Sequence, residues 1–137
     1  MKKFYALLLA SVLTLASVSI ALADETPSSI NTKHFSKSLS IALNSDIQGV
    51  RLGALQQYIR YGAVLNVNEG EVFKIVAIYR NSKDTNVRLL ALNALNQIQN
   101  KWSFDFLERS VRTEKNERVR QATYHAIYQF HTTSSAS

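Results

Sequence analysis

A repeated Val-Arg dipeptide limits the folds open to this 137-residue chain more than any other feature. It opens three similar segments, VRLGALQQYIRY from Val50, VRLLALNALNQI from Val87 and VRQATYHAIYQF from Val119, spaced by 37 and then 32 residues. A spacing in this range is typical of stacked helix pairs. A repeat stack is a surface for holding partners and carries no chemistry of its own, so the recurrence favours binding over catalysis.

The first 23 residues have the pattern of an export signal. Lys2 and Lys3 precede an uncharged stretch, Phe4 to Ala23, that ends in the small-x-small cleavage pattern Ala21-Leu22-Ala23. The stretch is long enough to span a bilayer, so a retained membrane anchor is the alternative, although Ser, Thr and Ala dilute its hydropathy. We predict cleavage near Ala23, export to the periplasm or the medium, and no stable membrane insertion of the mature chain.

The chain has no cysteine, which excludes both a lipid-anchored signal and disulfide bonds. About 114 residues would remain after cleavage, enough for one small domain with a continuous apolar core. Those residues carry 14 basic and 10 acidic side chains, a net charge of +4 that is spread along the sequence. Nucleic-acid binders concentrate Lys and Arg on one face, so we expect no nucleic-acid partner.

Beyond the signal, apolar residues recur at three- and four-residue steps with one Pro and few Gly, which predicts an all-α fold. We expect a flexible leader over 24–33, a helical domain over 34–131 and a disordered tail over 132–137. The pattern predicts three helix pairs: Phe35–Asn44 with Ile47–Tyr61, Gly70–Asn81 with Thr85–Gln99, and Ser103–Thr113 with Glu117–His131.

Helix starts are signalled by Asp46, Asp84 and Asn116, whose side chains can accept hydrogen bonds from first-turn amides. Gly62 follows the second helix, where a left-handed cap is expected. On a helical wheel, the second helix of each pair has one apolar face for its own partner. In the first two copies an opposite apolar side, such as Leu89 in the second, would meet a neighbouring repeat. In the third copy that side is amphipathic, which predicts that the array ends there.

These residues resemble the HEAT repeat family in its short bacterial form, in which D-x-x-V-R-x-x-A-x-x-A-L opens the second helix. The second copy matches through Asp84, Val87, Arg88, Ala91, Ala94 and Leu95. The third keeps Asn116, Val119 and Arg120. The first has Val50 and Arg51 but places Asp46 four residues before the valine. The resemblance covers about residues 35–131 and implies a right-handed α-solenoid. It implies that the valines lie in the core and that the acidic residues and arginines hold the turn and bridge repeats.

An alternative role for Arg51, Arg88 and Arg120 is an anion-binding ladder, because arginine binds carboxylate or phosphate through two donors. A structural role is favoured, since each arginine has an acidic or amide residue nearby in the sequence. Replacing Arg88 by Ala would lower the melting temperature in the structural case and abolish ligand binding in the other.

The sequence predicts no metal, cofactor or catalytic residue. The histidines are His34, His125 and His131, and the last two are six residues apart, which places them on different sides of one helix. No Gly-x-Ser-x-Gly motif or Gly-rich phosphate loop occurs. Acidic pairs such as Glu69 with Glu71 lie at expected helix starts, where carboxylates favour the positive helix end.

Recurring polar positions on the second helices are the best candidate surface, because in HEAT-like stacks these helices line the concave side. Amides there can donate and accept hydrogen bonds to a peptide backbone or a sugar, and the alternative is a solvated face with no ligand. One column consists of Gln56, Asn93 and His125, and the next of Arg60, Gln97 and Gln129. Tyr124 and Tyr128 project from the far side of the last helix, as a contact site or a partly covered cap.

We predict that the other aromatic residues singled out in the sequence lie in the core: Trp102, Phe104, Phe106, Tyr58, Tyr61 and Phe130. Together these features predict an exported, non-enzymatic interaction or scaffold module that binds a protein or peptide. Two alternatives remain. One is an enzyme on a helical solenoid, which would need convergent ionisable residues. The other is association with an anionic membrane surface or glycan, which would weaken steeply with salt.

Overall fold

The computed structural model describes residues 32–135, which form six α-helices and a short 3₁₀ helix and contain no strand. The predicted all-α class is therefore confirmed. The predicted signal, the leader up to residue 31 and residues 136–137 of the predicted tail lie outside the described residues. The helices are α1 Thr32–Leu43, α2 Gln48–Tyr61, α3 Glu69–Asn81, α4 Thr85–Ile98, α5 Lys101–Ser110 and α6 Glu117–Ser134, with the 3₁₀ helix at Val111–Thr113.

The helices pack in pairs and the pairs pack on one another. Helix α1 packs on α2, α3 on α4, and α5 on α6. The second helices lie side by side in the order α2, α4, α6, and the first helices make contacts in the order α1, α3, α5. Helix α4 is central, because it contacts α2, α3 and α6.

The core runs through all three pairs. In α4 both predicted apolar sides are covered, since Leu95 on one side and Leu92 on the other are at most 2% exposed. In α6 one side is buried through Val119 and Thr123, whereas Tyr124 is 51% exposed. The helical wheel predicts two apolar sides for α4 and one for α6, and the burial of these helices agrees with that prediction.

The helical region extends further than predicted at both ends. Helix α1 begins at Thr32, two residues before the expected domain start, and α6 continues to Ser134. Hydroxyl groups in this last turn bond to carbonyls one turn earlier. Thr132 Oγ1 donates to the Tyr128 carbonyl at 2.6 Å and Ser135 Oγ to the His131 carbonyl at 2.8 Å. The expected disordered tail from residue 132 is wrong over its first three residues, because α6 includes Thr132, Thr133 and Ser134.

Two of the three predicted helix caps are confirmed. Asp84 Oδ1 accepts from the Asn86 amide at 2.8 Å, and Asn116 Oδ1 from the Val119 amide at 3.1 Å. Asp46 is not a cap, because α2 begins at Gln48 and places Ile47 in the cap position without a side-chain bond. Asp46 therefore lies one residue too early to reach the first-turn amides.

Helices α3 and α5 have caps that the sequence analysis did not assign. Asn68 Oδ1 accepts from the Glu71 amide at 3.0 Å, and Glu71 Oε2 accepts from the Asn68 amide at 3.0 Å. This capping box satisfies two helix-end donors at once and is readable as Asn-x-x-Glu. Asn100 caps α5 by accepting from the Ser103 amide at 3.1 Å.

Gly62 does not adopt the predicted left-handed conformation. Its φ is −55° and it is buried, and a Cβ atom there would overlap the Tyr58 carbonyl oxygen and lie 3.0 Å from Ile98 Cγ1. Gly62 thus permits the close approach of α2 to α4. The left-handed residue is Gln99, with φ 56°, at the end of α4.

The valine of the dipeptide is buried to different extents in the three copies. Val119 is fully buried and Val87 is half-buried, whereas Val50 is 41% exposed. Val87 lines a cavity with Leu52 and Leu55 of the preceding pair, so this position faces the preceding repeat. The expectation that Val50 lies in the core is wrong, because no described helix precedes its pair on that side.

Candidate binding surfaces

Arg88 is held by two separate parts of the chain. Its Nε donates to the Tyr79 carbonyl at the end of α3 at 2.7 Å. Its Nη1 donates to Glu114 Oε1 at 3.1 Å, and its Nη2 pairs with Glu114 Oε2. The side chains of Arg88 and Glu114 are only 14% and 13% exposed. The guanidinium therefore joins the second repeat to the loop that precedes α6.

This pairing favours the charged form of both groups. The hydrogen bond from Arg88 holds the pKa of the Glu114 carboxyl below its ordinary value, against the opposing effect of burial. The Asn116 amide, 2.8 Å from Glu114 Oε1, lowers that pKa further. The same bond to Glu114 raises the pKa of Arg88. The pair stays ionised at neutral pH, and three of the five N–H donors of Arg88 are used by Tyr79 and Glu114.

The arginines that open the other two repeat segments also donate to the backbone. Arg51 Nη1 donates to the Ser45 carbonyl at 2.6 Å, and Arg120 Nη1 to the Glu114 carbonyl at 3.1 Å, each six residues upstream. Arg120 also pairs with Glu117. All three arginines thus bind a carbonyl in the preceding turn or helix end, which is the contact expected of a structural bracket.

Neighbouring repeats are further joined by polar contacts. Asn116 Nδ2 donates to Thr85 Oγ1 at 2.9 Å, so one residue caps α6 and contacts the start of α4. In the interior, the Tyr79 and Thr123 hydroxyls are 2.8 Å apart, and the Thr123 hydroxyl also lies 2.7 Å from the Val119 carbonyl. The α3–α4 pair is therefore fixed to α6 by specific bonds as well as by apolar packing.

The polar columns predicted on the second helices are exposed on three adjacent helices. Gln56 and Arg60 project from α2, Asn93 and Gln97 from α4, and His125 and Gln129 from α6, and all six are exposed. Gln129 Oε1 accepts from Asn96 Nδ2 at 3.1 Å, which links α6 to α4 at this surface. We call these six residues the polar face.

Tyr124 and Tyr128 project into solvent from α6, the last described helix of its layer, and are 51% and 70% exposed. Gln121, one turn earlier, is exposed and donates to Glu117 Oε1 at 2.8 Å. This side of α6 carries two large amphipathic rings with no described helix over them.

Trp102 was predicted to lie in the core, and this prediction is wrong, since the residue is 44% exposed. The ten-residue helix α5 turns Phe104 and Leu107 inward, and Trp102 falls on the adjoining side. The indole lies 6.0 Å from the ring of Phe73 on α3 and 6.4 Å from the ring of Phe106. Phe73 is itself 62% exposed. Of the other predicted core aromatics, Tyr58 and Phe104 are fully buried, and Tyr61, Phe106 and Phe130 are partly buried.

Two recesses lie along α3 and α5, and the Trp102–Phe106 ring pair stands between them. The first, of about 310 Å³, is mainly apolar and lined by Glu69, Gly70, Val72, Phe73, Asn100 and Trp102. The second, of about 500 Å³, is lined by Tyr79, Arg80, Arg88, Phe106, Arg109, Ser110, Thr113, Glu114 and Lys115. Phe106 lines the second cavity and stacks on Trp102 of the first. We call this feature the α3–α5 groove.

The sequence analysis did not find the α3–α5 groove. The caps of α3 and α5, Asn68 and Asn100, are 32 residues apart, whereas Trp102 follows Phe73 by 29 residues, so the two rings do not occupy equivalent positions in their helices. The repeat comparison was based on the second helices, and no recurring motif marks the groove.

The described residues contain no group of three or more His, Asp or Glu placed to hold a metal ion. His131 Nε2 lies 2.6 Å from Glu108 Oε1 at the exposed end of α5.

The Tyr58 hydroxyl is buried without a hydrogen bond of good geometry. Its pKa is raised by burial and then by the nearby Glu71 carboxylate, so it remains protonated. No helix of residues 32–135 has the length and apolarity to cross a bilayer.

No protein-family model, curated protein or solved structure matches this chain.

Proposed function

We propose that the chain is an exported, non-enzymatic HEAT-like repeat module that binds a protein or peptide on the polar face. The observation that carries this proposal is the side-by-side placement of α2, α4 and α6, each with exposed polar side chains at the two recurring positions. Such a surface lengthens with every repeat and suits an extended ligand. Its amides offer both donors and acceptors to a peptide backbone.

The order of helix contacts supports a solenoid arrangement. Second helices meet in the order α2, α4, α6 and first helices in the order α1, α3, α5, as in a stack of hairpins. The bonds of Arg88 and Asn116 between successive pairs fit the bracket role that the HEAT resemblance implies. Export is supported by the amino-terminal sequence pattern alone, and it sets the search for partners in the periplasm or the medium.

Site-specific photo-crosslinking in the source cells tests this function. A photoreactive side chain at Asn93 should capture a discrete partner that is not captured from Asn66 or Lys83, which are exposed elsewhere. With that partner purified, the Q56A/N93A/Q97A/Q129A variant should bind at least about tenfold more weakly. A K37A/N66A/K83A variant controls for loss of exposed polar groups. Equal affinity of the polar-face variant and the wild type would overturn the proposal.

A further inference from the structure

We propose that the α3–α5 groove is a second, separate binding site, and that it takes an extended peptide with an apolar and an acidic side chain three residues apart. The groove lies between first helices, whereas the polar face lies on second helices. Its two ends differ in chemistry, and that difference defines the ligand.

The apolar end offers a site for a large hydrophobic side chain. Phe73 and Trp102 are 62% and 44% exposed and form the rim of a cavity of about 310 Å³. Exposed aromatic rings beside a recess are costly in water and are enriched among residues that dominate binding energy. An apolar side chain placed there would contact both rings and displace the water that covers them.

The basic end offers charge that the protein does not neutralise. Arg80, Arg109 and Lys115 line the second cavity. None of the three lies within ion-pair distance of a carboxylate in residues 32–135. The neighbouring Arg88 and Glu114 neutralise each other.

The acidic residues of α5 are paired with other groups. Asp105 pairs with Lys101 at 2.9 Å, and Glu108 Oε1 lies 2.6 Å from His131 Nε2, a contact that is an ion pair only when the imidazole is protonated. Three cations at one end of a recess therefore favour an anionic group. Arginine is well suited to bind a carboxylate through two parallel hydrogen bonds.

The spacing of the two ends sets the register of the ligand. Trp102 and Arg109 are seven residues apart on α5, a rise of about 10 Å at 1.5 Å per residue. A peptide in the polyproline II conformation rises about 9 Å in three residues and returns to the same face, whereas in a β-strand side chains three residues apart point to opposite faces. An apolar side chain at one position and a carboxylate three positions away would reach the two ends together.

The recess favours a peptide over a membrane surface. A narrow chain can enter the space between two helices, whereas a bilayer would contact only the rims. Glu69 lines the apolar cavity, and its carboxylate would repel an anionic headgroup at the point where the aromatic rings would insert. A peptide can place its neutral backbone beside Glu69 and its carboxylate at the basic end.

Trp102 provides a direct readout, because it is the only tryptophan in the chain. The probe is the blocked peptide Gly-Phe-Ser-Ser-Glu-Gly, together with the reversed order Gly-Glu-Ser-Ser-Phe-Gly. One of the two should change Trp102 emission saturably, with a Kd below about 1 mM. Replacing the peptide glutamate by glutamine should weaken binding at least about tenfold, since it removes the charge while conserving size.

Variants of the protein distinguish a specific binding site from non-specific electrostatic attraction. R80Q/R109Q should weaken the peptide at least about tenfold. K37Q/K83Q, which removes the same charge elsewhere, should leave binding unchanged. The Q56A/N93A/Q97A/Q129A variant should also bind normally, so this test and that of the polar face can fail independently.

Three results would overturn the proposal. The first is no saturable change with either peptide up to 1 mM, a limit of about −4 kcal/mol. The second is an equal loss of binding in R80Q/R109Q and K37Q/K83Q. The third is a shift in Trp102 emission with phosphatidylglycerol vesicles but not with the peptides, which would make the groove a membrane-contact site.

Discussion

The carboxylate that pairs with Arg88 is distant in the sequence. The nearby acidic residue Asp84 caps its own helix, and the carboxylate that pairs with Arg88 belongs to Glu114, 26 residues further along the chain. A local pattern identifies the arginine as structural but cannot name such a distant partner. Glu114 accepts bonds from Arg88 and from the Asn116 amide, so one carboxylate secures the junction between the second and third pairs.

Replacing Glu114 by Gln should lower the free energy of unfolding at pH 7 by about 1–3 kcal/mol, because it leaves a mostly buried guanidinium without its counter-charge. Glu117→Gln is the control. Glu117 also pairs with an arginine but is 59% exposed, and such a pair contributes at most about 1 kcal/mol. Urea denaturation of the three proteins measures both effects.

The pH dependence of this difference has a defined sign. The pKa of Glu114 is lower in the folded state than its ordinary value of 4.5, so its contribution is complete above that pH and is lost as the pH falls through the folded pKa. The stability difference between wild type and Glu114→Gln should therefore shrink below about pH 4.5. If the stability difference between the two proteins stays constant as the pH is lowered from 7 to below 4.5, the charge-based explanation is contradicted.

At the scale of helices, the sequence predicts where elements begin better than how they contact one another. Capping residues such as Asp84 and Asn116 act within one turn, so their role is visible in a short stretch of sequence. Gly62 and Trp102 were misassigned because their surroundings come from other helices. Ile98 of α4 makes Gly62 a close-approach residue, and the ring of Phe73 in α3 lies beside an outward-facing Trp102.

The packing of α2 on α4 is tested by a matched pair of glycine substitutions. Gly62→Ala should lower the free energy of unfolding by about 1–3 kcal/mol, because the added methyl group would overlap the Tyr58 carbonyl and crowd Ile98. Gly53→Ala, within α2, has no neighbouring atom within 4 Å of the new Cβ and should raise stability by about 0.5–1 kcal/mol. Thermal and urea unfolding measure both, and equal effects would contradict this packing.

For the molecule as a whole, the repeat register explains which surfaces could be predicted. The polar face comes from equivalent positions on second helices, so a comparison of the Val-Arg segments was sufficient to group its residues. The α3–α5 groove is formed by two helices that share no obvious motif. It also depends on the exposed rings of Phe73 and Trp102, which the ten-residue helix α5 does not cover. The exposure of Trp102 follows from packing, which composition and periodicity do not specify.

The central claim is that three helix pairs stack in a row and align the polar face. It is tested most directly by distances between spin labels on cysteines introduced at Gln56, Asn93 and His125 in this cysteine-free chain. Adjacent packed helices lie about 8–10 Å apart, so a row predicts that the Gln56–His125 distance exceeds both adjacent-pair distances by roughly 10 Å. Three similar distances would show that the second helices form a closed cluster, and would contradict the stacked arrangement.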